Sequence, residues 1–195
     1  LQRLELVYPC FLSRKELANI LSAPHGKPAP ASIRDTDKLL SNNEQQRRAT
    51  SGNAAAWRLR MDKAQKSAGA RLTWHDHLTG THRITPEIFG DAVIARGDIG
   101  VSYHLAVVVD DALDHISLVT RGVDLAPSTN LHRLLQELLG LPAPDYLHHD
   151  LVCDAAGKRL AKRDDAESIT RLRDDGLVQH DLLSTLPALP RPSFL

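Results

Sequence analysis

The 195-residue sequence has only two cysteines, Cys10 and Cys153, and their wide separation implies no disulfide framework. It has no apolar run that approaches the ~18 residues of a membrane-spanning helix, and no signal-peptide pattern opens it. Lysine plus arginine (24) balances aspartate plus glutamate (24), so the net charge gives no argument for a nucleic-acid partner. These absences predict a soluble cytoplasmic protein without membrane contact.

Several motifs with defined chemistry are missing as well. The sequence has no glycine-rich phosphate loop, no nucleophile elbow and no paired-cysteine metal motif. Its neighbouring histidines do not supply three or four ligands at the spacing that zinc requires. We interpret them as ordinary strand residues: His75 and His77 around Asp76, and His148 beside His149.

The chain also opens without methionine, on apolar residues at helical spacing, which predicts a fragment or a protein that lacks its N-terminal part.

Local patterns in the first half predict helices followed by antiparallel strands. Residues 13–16 and 41–44 have the Ser-x-x-Glu spacing of capping boxes, which open helices. Apolar and basic side chains alternate from Trp57 to Met61, as in a half-exposed strand, and residues 72–77 with the segment after Thr79 and Gly80 have the pattern of a hairpin. We therefore interpret residues 55–96 as an antiparallel unit.

The second half predicts an α/β fold. Residues 105–109 fit either a buried strand or a buried helix, and residues 116–120 a strand. Ser128 is expected to cap the next helix, which precedes a strand over residues 146–153. Strand, helix and strand in this order predict a parallel βαβ unit. Asp164 is expected to cap a later helix. The helix after Ser128 has a leucine face formed by Leu131, Leu134, Leu135, Leu138 and Leu139.

Two features of this half are candidates for binding. Arg121 ends a predicted strand, where its guanidinium needs an acidic partner: a ligand carboxylate, or Asp110, Asp111 or Asp124 in a structural pair, which the residues alone slightly favour. A basic loop lies beyond the carboxyl end of a predicted parallel strand, where α/β sheets bind ligands. Its cations suit a triphosphate, although a solvated loop is the commoner explanation. They are Lys158, Arg159, Lys162 and Arg163.

Three phrases in fixed order, at residues 102–112, 120–129 and 157–164, resemble the glutamyl-Q tRNA(Asp) synthetases of the class I glutamyl-tRNA synthetase family. The resemblance implies an α/β fold, the second half of a class I synthetase Rossmann-like catalytic domain with a small α+β antiparallel insertion. Residues 1–100 would form the insertion. Residues 101–195 would form the C-terminal half of the catalytic domain, with the signature loop and terminal helices.

The same resemblance implies a function. Members activate glutamate with ATP, which enters with Mg²⁺, and transfer it to queuosine in the anticodon of tRNA(Asp). Tyr103 and Arg121 match the residues that bind glutamate. Lys162 matches the lysine that contacts the ATP phosphates and is the expected catalytic residue. The ATP signature loop would comprise Arg159, Leu160, Ala161, Lys162 and Arg163.

Three differences from the family qualify this expectation. Cys10 matches the first cysteine of a Cys-x-Cys zinc pair, but Leu12 stands at the second, so no zinc is expected. The His-x-Gly-His type motif that precedes these phrases in the family is absent. The isolated chain should therefore be inactive without an N-terminal portion. The complete protein is expected to be a monomer. Val107 and Ala112 favour the glutamyl-Q tRNA(Asp) synthetases over the synthetases that charge tRNA(Glu). A non-catalytic paralogue that binds tRNA or a partner, and a fragment of a synthetase that charges tRNA(Glu), remain alternatives.

Overall fold

The computed structural model describes residues 1–21, 31, 33–69, 71–153, 160 and 168–185. Within these residues the chain forms two four-stranded sheets and a set of short helices. None of the described helices is long and apolar enough to cross a membrane. The elements in chain order are β1 (Val7–Cys10), α1 (Arg14–Leu21), α2 (Asn42–Thr50), β2 (Ala56–Leu59), α3 (Met61–Ala68), β3 (Thr73–Asp76), β4 (Gly80–Arg83), β5 (Val93–Arg96), β6 (Gly100–Val101), α4 (Tyr103–Leu113), β7 (Leu118–Gly122), α5 (Ala126–Leu139), β8 (Asp145–His149), α6 (Ile169–Asp174) and α7 (Gln179–Thr185).

The first sheet is antiparallel, with strand order β1-β2-β5-β6. The predicted alternation from Trp57 to Met61 is wrong at its end, because β2 stops at Leu59 and Met61 begins α3. The backbone N–H of Met61 donates to Asp91 Oδ1 at 2.9 Å, which caps α3 and turns the chain out of the sheet. Arg58, expected on the solvent side, is only 8% exposed and donates to the carbonyl oxygen of Asp91 at 2.8 Å.

The second sheet has strand order β4-β3-β8-β7 and is mixed. The predicted hairpin is confirmed as the antiparallel pair β3 and β4. The predicted βαβ unit is confirmed too, because β7 and β8 are parallel and α5 connects them. In addition, β3 pairs in parallel with β8 at Asp76 and Tyr146, which the sequence did not predict. This sheet therefore combines strands from both sides of residue 100, and the domain boundary predicted there stays a prediction.

Helices α4 and α5 both contribute buried side chains to the main core. The open choice for residues 105–109 is decided in favour of a helix, α4, whose Val108 is buried. The leucine face of α5 is confirmed: Leu131, Leu134 and Leu135 are fully buried. The predicted cap at Ser128 is wrong, since α5 begins at Ala126 with a proline in its first turn. Gly140 ends α5 with a left-handed φ of 65°.

The ends of several elements differ from prediction. β7 extends to Gly122 and therefore contains Arg121, and β8 ends at His149 because its partner strand β7 ends opposite it. Helix α6 begins after Ser168, whose hydroxyl accepts from the backbone N–H of Arg171. The predicted cap, Asp164, lies outside the described residues. Both predicted capping serines, Ser13 and Ser41, accept from the backbone N–H three residues ahead.

A buried carboxylate joins the first sheet to the segments around it. Asp91 is 3% exposed. Besides the Met61 N–H, it accepts from the Tyr8 hydroxyl at 2.8 Å and from the backbone N–H of Asp35 at 2.7 Å. The Tyr8 hydroxyl in turn accepts from the backbone N–H of Thr36 at 3.0 Å. Burial raises the pKa of Tyr8, so this hydroxyl remains a donor to Asp91.

Candidate active site

The candidate site lies at the carboxyl ends of β7 and β8. The parallel register pairs Arg121 of β7 with His148 of β8, so the two side chains lie next to each other. Helix α5 begins four residues after β7 ends and brings Thr129 and His132 to the same place. This is the edge of a parallel α/β sheet at which ligands bind.

Arg121 is held by three neutral groups. Its Nε donates to His148 Nε2 at 3.1 Å, its Nη2 to Thr129 Oγ1 at 2.6 Å, and its Nη1 to His132 Nδ1 at 3.4 Å. These bonds replace the structural ion pairs with Asp110, Asp111 or Asp124 that the sequence left open. None of these three partners is a carboxylate, so within the part of the chain that the structure describes this half-buried cation is oriented by hydrogen bonds to neutral groups.

His148 is itself held by a buried carboxylate. Asp76 Oδ2 lies 2.6 Å from His148 Nδ1, and the two side chains are 1% and 3% exposed. Burial raises the pKa of Asp76, but hydrogen bonds from His148, Leu78 and Thr79 outweigh it, so the carboxyl is ionised. Burial and the charge of Arg121 hold the pKa of His148 below its ordinary value, although Asp76 opposes them.

The interpretation of these residues as ordinary strand residues missed this pair. One signal in the sequence pointed to it: the alternation of β3 places Asp76 on the same face as Trp74. A carboxylate on an apolar face needs hydrogen-bond donors, which the fold supplies from β8.

Tyr103 and Arg121, the two predicted glutamate residues, both border His132. The ring of Tyr103, which is 53% exposed, has its centroid 5.8 Å from that of His132. His132 Nε2 lies 3.0 Å from His104 Nδ1. Burial, the charge of Arg121 and the neighbouring His104 lower the pKa of His132 to about 3, and burial also lowers that of His104. The imidazoles beside Arg121 are therefore neutral at physiological pH.

The predicted ATP loop is only partly within the described residues. Arg159, Ala161, Lys162 and Arg163 lie outside them, and Leu160 lies inside. The backbone N–H of Leu160 donates to the carbonyl oxygen of Val152 at 3.0 Å, three residues beyond the end of β8. The segment after β8 also packs closely on β7, because a Cβ atom on Gly122 would lie 2.9 Å from the Leu151 side chain.

The described residues contain no group of three or more His, Cys, Asp or Glu side chains placed to hold a metal ion. Cys10 is a buried thiol and Cys153 an exposed one. The absence of zinc stays a prediction.

Solved structures share the fold. The glutamate-tRNA synthetase of Elizabethkingia anophelis matches with a TM-score of 0.64 and 23% identity, over 90% of this chain and 35% of that one. A glutamate tRNA ligase of Elizabethkingia meningosepticum, solved in complex with its amino acid, matches with a TM-score of 0.63 and 22% identity over the same shares. The predicted fold, that of a class I synthetase catalytic domain, is confirmed.

Sequence comparison gives the family. Residues 4–189 match the catalytic domain of the class I tRNA synthetases (E and Q), and the chain belongs to this family. Proteins named glutamyl-Q tRNA(Asp) synthetase are similar to it: that of Rhodobacter capsulatus is 43% identical over 192 residues, and that of Nocardia farcinica 38% over 183. The alignments cover 91% and 93% of this chain but 65% and 55% of those proteins. The chain thus spans between about half and two thirds of the length of these relatives. The predicted resemblance is confirmed.

Proposed function

We propose that this chain is the glutamate-binding part of a ligase that activates glutamate with ATP and transfers it to queuosine in the anticodon of tRNA(Asp). The observation that carries the proposal is Arg121, a half-buried cation held by three neutral partners at the ligand-binding edge of the sheet. An arginine fork whose hydrogen-bond partners among the described residues are all neutral is suited to a substrate carboxylate. The relatives named glutamyl-Q tRNA(Asp) synthetase support the choice of substrate and acceptor.

Each residue then has a role. Arg121 binds one carboxylate of glutamate, and Tyr103 forms a wall of the amino-acid pocket. The other carboxylate attacks the α-phosphate of ATP, pyrophosphate leaves, and a glutamyl adenylate forms. A hydroxyl of queuosine then attacks the activated carbonyl, and AMP leaves. Lys162, with Arg159 and the rest of the loop, stabilises the charge that develops on the phosphates. Mg²⁺ enters bound to ATP as part of that substrate.

Glutamate-dependent ATP–pyrophosphate exchange tests the first step. Because the chain spans 65% of the Rhodobacter capsulatus relative, we would join it to the part of that relative which it does not match. This product is called the joined protein below. We expect exchange by the joined protein with glutamate, little with aspartate or glutamine, and none by the isolated chain. Absence of exchange by a folded joined protein would overturn the proposal.

Transfer of labelled glutamate tests the acceptor. We expect the joined protein to label tRNA(Asp) that contains queuosine and to leave both tRNA(Glu) and queuosine-free tRNA(Asp) unlabelled. Labelling of tRNA(Glu) would favour a synthetase that charges that tRNA. Salt-sensitive binding of tRNA without pyrophosphate exchange would favour a non-catalytic RNA-binding protein.

A further inference from the structure

Both oxygens of the Asp76 carboxylate accept hydrogen bonds from described residues of the protein. Oδ1 accepts from the backbone N–H groups of Leu78 and Thr79 at 2.8 and 3.1 Å, in the turn between β3 and β4. Oδ2 accepts from the backbone N–H of His148 at 3.1 Å and faces His148 Nδ1 at 2.6 Å. These four contacts fix the carboxylate whether or not a ligand is present.

The partners of His148 require a single tautomer. An ionised carboxylate only accepts hydrogen bonds, so the proton of His148 is on Nδ1, facing Asp76. Arginine only donates, so Nε2 carries the lone pair that accepts from Arg121 Nε. A proton on Nε2 would place two donors against each other. The two neighbours thus demand the same neutral form of the imidazole.

The ring of His148 is also held in place by packing. Tyr146 stacks on it with centroids 5.7 Å apart and planes 7° apart, and Trp74 contacts its edge at 5.5 Å. With its ring fixed by packing and its proton fixed by Asp76, His148 presents one acceptor in one direction. That acceptor meets the Nε–H of Arg121 at 3.1 Å and also lies 3.3 Å from the Thr129 hydroxyl oxygen, which itself accepts from Arg121 Nη2.

Fixing Nε orients the ligand-binding end of Arg121. A guanidinium has five N–H groups. Among the described residues, His148, Thr129 and His132 take one each from Nε, Nη2 and Nη1. Two N–H groups remain, one on each terminal nitrogen, and a carboxylate that binds an arginine fork in a bidentate manner uses such a pair.

We propose that His148, in the Nδ1–H tautomer set by Asp76, is a positioning residue that aims the guanidinium of Arg121 at the ligand carboxylate. Neither His148 nor Asp76 touches the ligand. The identity of that ligand as glutamate rests on the proposed function, whereas the tautomer and the bond to Arg121 do not. The proposal therefore has one test that needs no activity and one that does.

The first test is nitrogen NMR of the ¹⁵N-labelled chain. Histidine ring nitrogens with and without a proton have distinct shifts, so the tautomer is observed directly. We expect His148 to be neutral with its proton on Nδ1 at pH 7, and the Arg121 Nε–H to exchange slowly with solvent. The His148→Asn variant should make that N–H exchange faster. A His148 protonated on Nε2 or on both nitrogens, or an Arg121 Nε–H that the variant leaves unchanged, overturns the proposal.

The second test compares two amides at His148 in the joined protein. In His148→Gln the amide oxygen reaches the position of Nε2 and still accepts from Arg121. In His148→Asn the shorter amide donates to Asp76 but does not reach Arg121. We expect His148→Asn to raise KM for glutamate by about tenfold to a hundredfold, the effect of one lost hydrogen bond to a charged group, with KM for ATP unchanged. His148→Gln should remain within a few-fold of the wild type.

A matched control and the unfolding midpoint of each variant separate positioning from stability. His149→Asn alters the next residue, whose imidazole contacts the carbonyl oxygen of Asp150, and should leave both KM values unchanged. If Asn and Gln at position 148 raise both KM values equally, or leave both unchanged, the positioning role is wrong. If the wild-type joined protein shows no exchange, the proposed function fails while the NMR result still decides the tautomer.

Discussion

Arg121 Nη1 lies 3.4 Å from His132 Nδ1, so a permanent cation faces an imidazole that is 2% exposed. Protonation of His132 would place two positive charges together in a buried site, and the pKa of about 3 reflects this. The pKa values of His104 and His148 are lowered in the same region. The neutral state of these histidines therefore links the stability of the fold to pH.

This linkage gives a prediction for unfolding below neutral pH. The unfolded His132 has the ordinary histidine pKa of 6.5 and the folded one a pKa of about 3, so between these values the unfolded state binds more protons. The contribution of His132 to stability is therefore fully present above pH 6.5 and falls as pH decreases below it, by at most about 1.4 kcal/mol per pH unit. Urea unfolding at pH 7.5 and pH 5.0 measures the change.

Two variants isolate His132 in that experiment. His132→Gln cannot be protonated, so it should lose less stability than the wild type between pH 7.5 and pH 5.0. His180→Gln, at an exposed position of α7, should follow the wild type. Equal losses in the wild type and in His132→Gln would contradict the prediction.

Arg121 itself should determine the glutamate requirement of the joined protein. Arg121→Ala removes the charge and the fork, so we expect KM for glutamate to rise by about a hundredfold, as for a lost charge-assisted hydrogen bond, with KM for ATP little changed. Arg121→Lys keeps the charge but not the planar fork, so its KM for glutamate should lie between those of the wild type and Arg121→Ala. Arg133→Lys is the control, because Arg133 lies on α5 and is paired with Glu137. An Arg121 variant with normal glutamate dependence would remove the carboxylate-binding role.

Lys162 gives the corresponding prediction for ATP. If its ammonium stabilises charge on the phosphates during attack, Lys162→Ala should slow pyrophosphate exchange by about two orders of magnitude while KM for glutamate stays the same. Lys63→Ala, a substitution of an exposed lysine on α3, should have no effect. A full exchange rate in Lys162→Ala would exclude the loop lysine from the chemistry.

The features predicted correctly depend on local periodicity. The leucine face of α5, the two capping serines and the β3–β4 hairpin each follow from residues within one helix or one hairpin. The βαβ unit follows because a parallel connection needs a crossover helix. These patterns gave the α/β class and placed Arg121 at the end of a predicted strand.

The features missed depend on contacts that no local pattern contains. Asp76 and His148 are 72 residues apart in sequence and meet because β3 pairs with β8. The neutral partners of Arg121 could not be chosen over Asp110, Asp111 or Asp124 without knowledge of which side chains face the strand. The assignment of Tyr103 and Arg121 to glutamate came from the family resemblance, and it stays a prediction.

Asp91 supports a prediction about stability that is independent of function. Three donors of the protein converge on its carboxylate: the N–H of Met61 on Oδ1, and the Tyr8 hydroxyl and the N–H of Asp35 on Oδ2. Asp91→Asn nearly keeps the shape of the side chain. In either orientation of the amide, however, its NH₂ group faces a donor: the Met61 N–H at the position of Oδ1, or the Tyr8 hydroxyl and the Asp35 N–H at the position of Oδ2. We expect a loss of about 2 kcal/mol in the free energy of unfolding for Asn, and more for Ala, which leaves all three donors without an acceptor.

Urea unfolding at pH 7.5 measures these losses, with Asp98→Asn as the matched control. Asp98 pairs with Arg96, and both side chains are at least 40% exposed, so its substitution should change the free energy of unfolding by less than about 1 kcal/mol. The loss of unfolding free energy in Tyr8→Phe should lie between those of Asp91→Asn and Asp98→Asn. This variant removes one donor of Asp91 and the acceptor of the Thr36 N–H. If Asp91→Asn is as stable as Asp98→Asn, the three hydrogen bonds to Asp91 do not hold the first sheet to α3.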